Sequence, residues 1–304
     1  MPYKNQFRRL MGAYLKGKQD LSPLTLRTER YWLVSAEREF NGMNPNEIKL
    51  ENLFEYEARM RTGATNAANK CFALRRFLIW TGNPAVKKWK IRVRPTRKVN
   101  GTFLREDQVA YLRKCVQAKG ALEELLYSLG VDNGLRAVDM ERLTTQNAQD
   151  MLQSGVSVVL GKGRQGGKKR VLAMSEMTFQ CLSGYLLWRK QQLEEHPLRT
   201  DRLLIARHTQ TGRSYELTAG GIYGKLKPIF KASGFPHLTV HDLRRTFGNR
   251  HWRIGTPLEI IAEMMGHESV NQTFKAYIGV QLLDMVSAQQ KLSKSNPCPP
   301  IQYP

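Results

Sequence analysis

His241-Asp-Leu-Arg244, preceded by Thr239-Val240 and followed by Arg245-Thr-Phe247, is the stretch on which the reading of this chain turns. Helical positions three apart share a face, so His241 and Arg244 project the same way. Thr239 fits an N-cap, and Asp242 three residues later completes a weaker form of the capping box. An anion at such a helix start would meet free N–H groups and the positive dipole end. Arg244 would offer it a planar fork of donors. Alone, the pattern is more often that of a surface histidine and an arginine paired to a carboxylate. The residues around it change the weight. Thr256-Pro-Leu-Glu259 reads as a capping box with proline in the first turn. Leu258, Ile260, Ile261, Met264 and Met265 supply an apolar side, and Gly266 is a helix stop. His267 therefore sits just past a helix end, and Tyr277 follows it in the same connection.

About a hundred residues upstream lies Gly134-Leu-Arg136-Ala-Val-Asp139. Asp139 is placed to hold the Arg136 guanidinium in one pose. Gly130 and Gly134 are places where backbone can approach a ligand closely. Val156–Leu160 and Arg170–Ala173 are apolar runs flanking a glycine-rich turn, the signature of a β-hairpin. Lys162 sits at that turn, with Lys168 and Lys169 farther along it. The turn is no nucleotide phosphate loop, because Gly167 stands where Lys-Ser or Lys-Thr is required. A basic hairpin tip entering a nucleic-acid groove fits better. Together these pieces bring cationic donors to one phosphate and supply a phenol to attack it.

The composition agrees. The 304 residues allow one or two domains, and 41% hydrophobic content is enough for a core. A formal net charge of +22 favours polyanionic partners. No run approaches the roughly 18 apolar residues of a membrane span, and the N-terminus lacks the apolar stretch of a signal peptide. Cys71, Cys115, Cys181 and Cys298 form no CxxC pair or zinc-spaced cluster and read as reduced thiols in a cytoplasmic protein.

Residues 22–80 read as three amphipathic helices, near Thr25–Phe40, Asn46–Met60 and Thr65–Trp80, the last with Lys70, Arg75 and Arg76 on its outer side. Ser22-Pro23 is the expected start of the first. Whether Met1–Asp20 is an arm or part of this domain stays open. Thr81–Asn100 carries Lys87, Lys88, Lys90, Arg92, Arg94, Arg97 and Lys98 and no acid, and reads as a connection that touches DNA. Helical patterns in the second domain are expected at Ala121–Leu129, Ser175–Glu195 and Gly220–Ser233 and from Val240 onward. The proline-rich end from Asn296 is expected to be a non-helical tail.

Gly-Leu-Arg136-x-x-Asp139, Gly-Lys162-Gly, His241-x-Leu-Arg244-Arg-Thr-Phe, Met-Gly-His267 and Tyr277, in that order, resemble the tyrosine recombinase or phage integrase family. The resemblance covers Gly134–Tyr277. Asp139 stands where the family commonly has glutamate, the His267–Tyr277 interval is one residue longer than usual, and the loop after Lys162 is long. The resemblance implies a mainly α fold with a small β-sheet, in which an α+β catalytic domain joins a helical domain as a C-shaped clamp. The expected divisions are 1–90 for the helical core-binding domain, 91–101 for a basic linker, 102–290 for the catalytic domain and 291–304 for the tail. It implies Tyr277 as nucleophile, Arg136 and Arg244 on the phosphate, and His241 as general base. His267 is then a hydrogen-bond donor, Lys162 the general acid and Asp139 a support. Lys168 and Lys169 are alternatives for the lysine role. No cofactor or metal is expected. The implied partners are double-stranded DNA, further copies of the chain as a tetramer on two DNA sites, and accessory DNA-bending proteins; no membrane partner is expected. The rivals are an inactive DNA-binding relative, a metal-dependent nuclease, and a tyrosine enzyme that relaxes supercoils or seals hairpin telomeres.

Overall fold

Ser22 and Pro23 open a helix as their chemistry requires. In the computed structural model, which describes residues 6–61, 66–93, 103–161 and 169–267, the Ser22 hydroxyl accepts from Thr25 N at 3.2 Å. Pro23, which has no N–H to satisfy, begins α2 (Pro23–Glu39). The chain divides into two compact units, Met1–Val99 and Asn100–Pro304.

The first unit holds α1 (Gln6–Lys16), α2, α3 (Leu50–Arg61) and α4 (Ala67–Thr81). Its core is built from Phe7, Leu33, Leu53, Tyr56, Phe77 and Trp89, all fully buried. Helix α1 inserts Phe7, Met11 and Tyr14 into that core, so the chain from Gln6 belongs to the unit. The helix expected from Asn46 begins later, because Pro45–Glu47 closes a 3-10 turn capped by Asn44 before α3 starts at Leu50.

Two buried carboxylates tie the unit together. Glu29 accepts from Tyr14 Oη at 3.0 Å, Lys18 Nζ at 3.1 Å and Arg76 Nη2 at 2.9 Å. Arg76, expected on a DNA-facing surface, is ion-paired to Glu29 while its side chain stays 47% exposed, and Arg75 is half-buried beside it. Glu57 accepts from Trp89 Nε1 at 3.1 Å, Arg92 N at 2.6 Å and Val93 N at 2.9 Å. The basic stretch is therefore held to the first unit as far as Val93, with Lys87, Lys88, Lys90 and Arg92 exposed around the buried Trp89. Arg94, Arg97 and Lys98 lie outside the described residues.

The second unit is built around α6 (Ala121–Val131), whose residues from Leu125 to Val131 are all buried. Around it pack α5 (Glu106–Gln117), α7 (Ala137–Glu141), α9 (Glu176–Glu195), α10 (Ala219–Ala232) and α11 (Val240–Arg253). Gly130 lies inside α6, where an added Cβ would come 2.9 Å from Leu243 Cδ1 on α11. Its role is close helix packing, not the approach to a ligand that the sequence suggested. The expected hairpin is present: β1 (Val156–Leu160) pairs antiparallel with β2 (Lys169–Ala173), Val158 opposite Val171. Helix α8 (Thr145–Ser154) precedes it, and β3 (Ile205–Arg207) and β4 (Ser214–Glu216) form a second small antiparallel pair. Helix α12 (Leu258–Met265) is the last described element. The class is mainly α with small antiparallel sheets, as expected. None of the described helices is long and apolar enough to cross a membrane.

Asn83 is a sensitive point of the first unit. Its buried amide donates to Pro45 O at 2.6 Å and Ile48 O at 2.9 Å and accepts from Ala85 N and Val86 N. Asn83→Ala strands these backbone groups and should cost about 2–3 kcal/mol, read as a lower denaturant midpoint for the unfolding of the full chain.

Candidate active site

Helix α11 is started by its expected cap. Thr239 Oγ1 accepts from Asp242 N at 3.3 Å, and Asp242 Oδ2 accepts from Thr239 N at 2.9 Å. Asp242 Oδ1 pairs with Arg245 Nη1 at 2.6 Å. This fixes His241 in the first turn and Arg244 one turn on, where its guanidinium is fully buried. Arg244 Nη1 donates to Gly134 O at 2.5 Å, and Nη2 donates to Met265 O. Nη2 also lies 2.9 Å from His267 Nε2.

Those partners depend on two glycines. Gly134 has φ +64°, and an added Cβ would fall 2.5 Å from Phe247 Cδ1. Gly266 has φ +60°, and its Cβ would fall 2.9 Å from Arg170 Cδ. Both need the left-handed region that L side chains disfavour. At Gly266 the chain ends α12 with His267 N bonding to Ala262 O and Gly266 N to Glu263 O, a Schellman-type stop that turns His267 inward. The other end of α12 differs from expectation. Pro257 takes the N-cap position with no side-chain cap bond. The Thr256 hydroxyl instead lies 3.3 Å from His251 Nδ1, so the capping box read at Thr256–Glu259 does not form.

Arg136 is the extended N-cap residue of α7 and its side chain is 27% exposed, so it stays open to solvent. Asp139 accepts from Arg136 N at 3.3 Å and lies 3.7 Å from its Nη1. The shorter guanidinium partner of Asp139 is Arg170 on β2, at 2.9 Å. Sequence reasoning missed Arg170, which also donates to Met264 O at 3.0 Å. It missed Arg142 as well, whose Nη1 donates at 2.8 Å to Gly161 O, the carbonyl immediately before Lys162. An arginine flanking a glycine-rich turn and one just after a motif helix were the available signals. Neither has a spacing that marks it.

Arg136, Asp139, His241, Arg244 and His267 are therefore brought together. The electrostatics agree. His267 is 9% exposed, and burial, followed by the charges of Arg244, Arg136 and Arg170, lowers its pKa from 6.5 to about 3. Burial, then Arg245 and Arg244, lowers that of His241 to about 4. Both rings are neutral at neutral pH. An arginine only donates, so Nε2 of His267 accepts from Arg244 and the ring proton resides on Nδ1. Lys169 lies exposed at the start of β2. Lys162, Lys168 and Tyr277 lie outside the described residues. Among the described residues no group of three or more His, Cys, Asp or Glu is placed to hold a metal ion.

The model of the phage integrase family matches residues 102–282. The tyrosine recombinase XerD of Oceanobacillus iheyensis is 29% identical over 155 residues, which are 50% of this chain and 47% of that protein. XerC of the same organism is 28% identical over 242 residues, 74% of this chain and 72% of the relative. The chain spans about half the length of the first curated relatives it matches. Among solved structures, the Tn1549 transposon integrase in complex with a circular intermediate DNA superposes with a TM-score of 0.71 at 16% identity, over 94% of this chain and 99% of that one. That likeness is one of fold.

The neutral histidines set a pH dependence. Both folded pKa values lie below the ordinary 6.5, so the unfolded chain takes up protons first as pH falls. Their contribution is complete above about 6.5 and is lost toward the folded values. Denaturant titrations should show stability falling from about pH 6.5 to about pH 3, with a shallower slope in His267→Asn.

Proposed function

The chain belongs to the phage integrase family, and from that premise we propose that it is a site-specific DNA recombinase, cleaving and rejoining strands through Tyr277. The observation that carries the reading is the convergence of Arg136, Arg244, His241 and His267 on one site, with both rings neutral. Tyr277 attacks a backbone phosphorus, forms a 3′-phosphotyrosine and releases a 5′-hydroxyl. A second exchange by a new 5′-hydroxyl restores the DNA backbone and frees the tyrosine. Splitting the reaction this way is covalent catalysis. The phosphoester energy is kept in the protein–DNA bond, so the cycle needs neither ATP nor a metal.

A free tyrosine titrates near pH ~10 and needs a base and cations to attack at neutral pH. His241, neutral and thus able to accept, takes the phenolic proton. Arg136 and Arg244 stabilise charge on the nonbridging oxygens. His267 adds a hydrogen bond, for which its Nδ1–H is the available donor. Lys162 protonates the leaving 5′-oxygen, with Lys168 and Lys169 as the alternatives, and Asp139 supports the arginines. The first unit and the segment after it serve as a DNA-binding domain and linker. Lys87, Lys88, Lys90, Arg92, Arg94, Arg97 and Lys98 track the phosphates there, with Arg75 and Arg76 on the same unit; Lys168 and Lys169 contribute separately from the second unit. Double-stranded DNA is the partner class, in keeping with the net charge of +22 and with the DNA complex in which the Tn1549 integrase was solved. Two sites joined by a tetramer complete the assembly, with DNA-bending proteins as accessories.

The test is a covalent trap. The full chain is incubated with nicked candidate-site DNA in EDTA without ATP and run on a denaturing gel beside Tyr277→Phe. A protein–DNA band that disappears only in the variant is expected. A band that persists moves the nucleophile elsewhere, and no band on a tightly bound site favours an inactive DNA binder. Binding to the same DNA should weaken by roughly 10³–10⁵ between 50 and 200 mM salt if six to ten phosphates are neutralised; a flat response contradicts the basic surface.

A further inference from the structure

Arg170 occupies a position that no motif announces. It sits second in β2, opposite Val159, and is 8% exposed. One arm of its guanidinium pairs with Asp139 beneath Arg136, and the other binds Met264 O, three residues before His267. Its aliphatic stem fills the space beside Gly266 that a Cβ would take. It thus joins the hairpin, the start of α7 and the end of α12.

We propose that Arg170 is a positioning residue that sets Arg136 and His267 relative to each other for the phosphate. The proposal rests on the recombinase reading above for its chemistry, though not for its geometry. A guanidinium suits the task because it is rigid and makes two directed bonds at once. Lysine keeps the charge but is a point donor and does not span both acceptors. Its Nε is buried without a hydrogen-bond partner, so the two bonds from Nη1 and Nη2 carry the compensation for burying the charge, and both acceptors are held in place as firmly as they hold Arg170. Its charge acts on His267 together with those of Arg244 and Arg136. Removing it should displace the His267 titration upward.

The experiment compares Arg170→Gln and Arg170→Lys with the parent full chain in single-turnover cleavage at saturating protein. Site affinity and the denaturant midpoint are measured in parallel. Groups that orient the ligands of a metal site cost about 10–100-fold in activity when lost, and a residue that orients phosphate-binding groups is expected to act on the same scale. That loss in cleavage is expected for Arg170→Gln, with affinity within about three-fold and an intermediate rate for Arg170→Lys. The double variant with Asp139→Asn should fall little below the worse single one, because the two act as a unit. Unchanged cleavage overturns the proposal. So does a parallel loss of cleavage, affinity and midpoint in both variants, which marks a merely structural role. A parent chain that forms no adduct sinks the recombinase reading instead. The positioning claim is then decided without DNA, by NMR of the His267 ring. An upward-shifted titration in Arg170→Gln that persists in the charge-keeping Arg170→Lys supports it; one that Arg170→Lys restores, or a ring signal identical to the parent's in both variants, overturns it.

Discussion

The buried guanidinium of Arg244 is the constraint from which the second unit's functional end is organised. Taking a charge out of water costs several kcal/mol unless every donor finds a well-placed acceptor. Arg244 directs Nη1 at the carbonyl of Gly134, and Nη2 at the carbonyl of Met265 and the ring of His267. Two loops far apart in sequence are therefore obliged to converge on it. Gly134 can present its carbonyl beside Phe247 because it has no Cβ, and Gly266 lets α12 end where the Met265 carbonyl faces inward. The glycines in the motifs are thus conditions for burying this arginine.

The same burial fixes the protonation of the site. Desolvation and neighbouring guanidinium groups act in one direction on His241 and His267, and both rings are held neutral. A neutral ring can accept from one side and donate from the other, which an imidazolium cannot. Asp139 balances part of the cationic charge, shared between Arg170 at 2.9 Å and Arg136 at 3.7 Å. Arg136 is the more solvent-open of the two, so an incoming anion meets it before it meets Arg170.

In the first unit the logic is reversed. There, buried acids gather donors: Glu29 collects Tyr14, Lys18 and Arg76, and Glu57 collects Trp89 and the backbone at Arg92 and Val93. Some of the chain's basic residues are thus spent on internal order. The exposed ones, Lys87, Lys88, Lys90 and Arg92, ride on a segment that Trp89 and Glu57 hold in place. Anchoring a basic segment beforehand reduces the ordering entropy lost when a partner binds it.

The sequence by itself determined the local elements whose signals are covalent or nearest-neighbour. Ser22-Pro23 and the Thr239–Asp242 box start helices, Gly266 stops one, and apolar runs on either side of a glycine-rich turn make the hairpin. It also determined which of Arg136, His241, Arg244 and His267 to watch, because their types and order carry the family pattern. It did not announce α8, whose ten residues are largely polar, or β3 and β4, which are three residues each. It misread Thr256, whose hydroxyl turns to His251 instead of capping α12. It assigned Gly130 to a ligand when Leu243 fills the space. Only the tertiary structure decided that Asp139 pairs most closely with Arg170, 31 residues away, and that Arg76 belongs to Glu29, 47 residues away. Ion pairs between distant residues leave no period in a sequence, because what selects them is the shared exclusion of water when separate elements pack together.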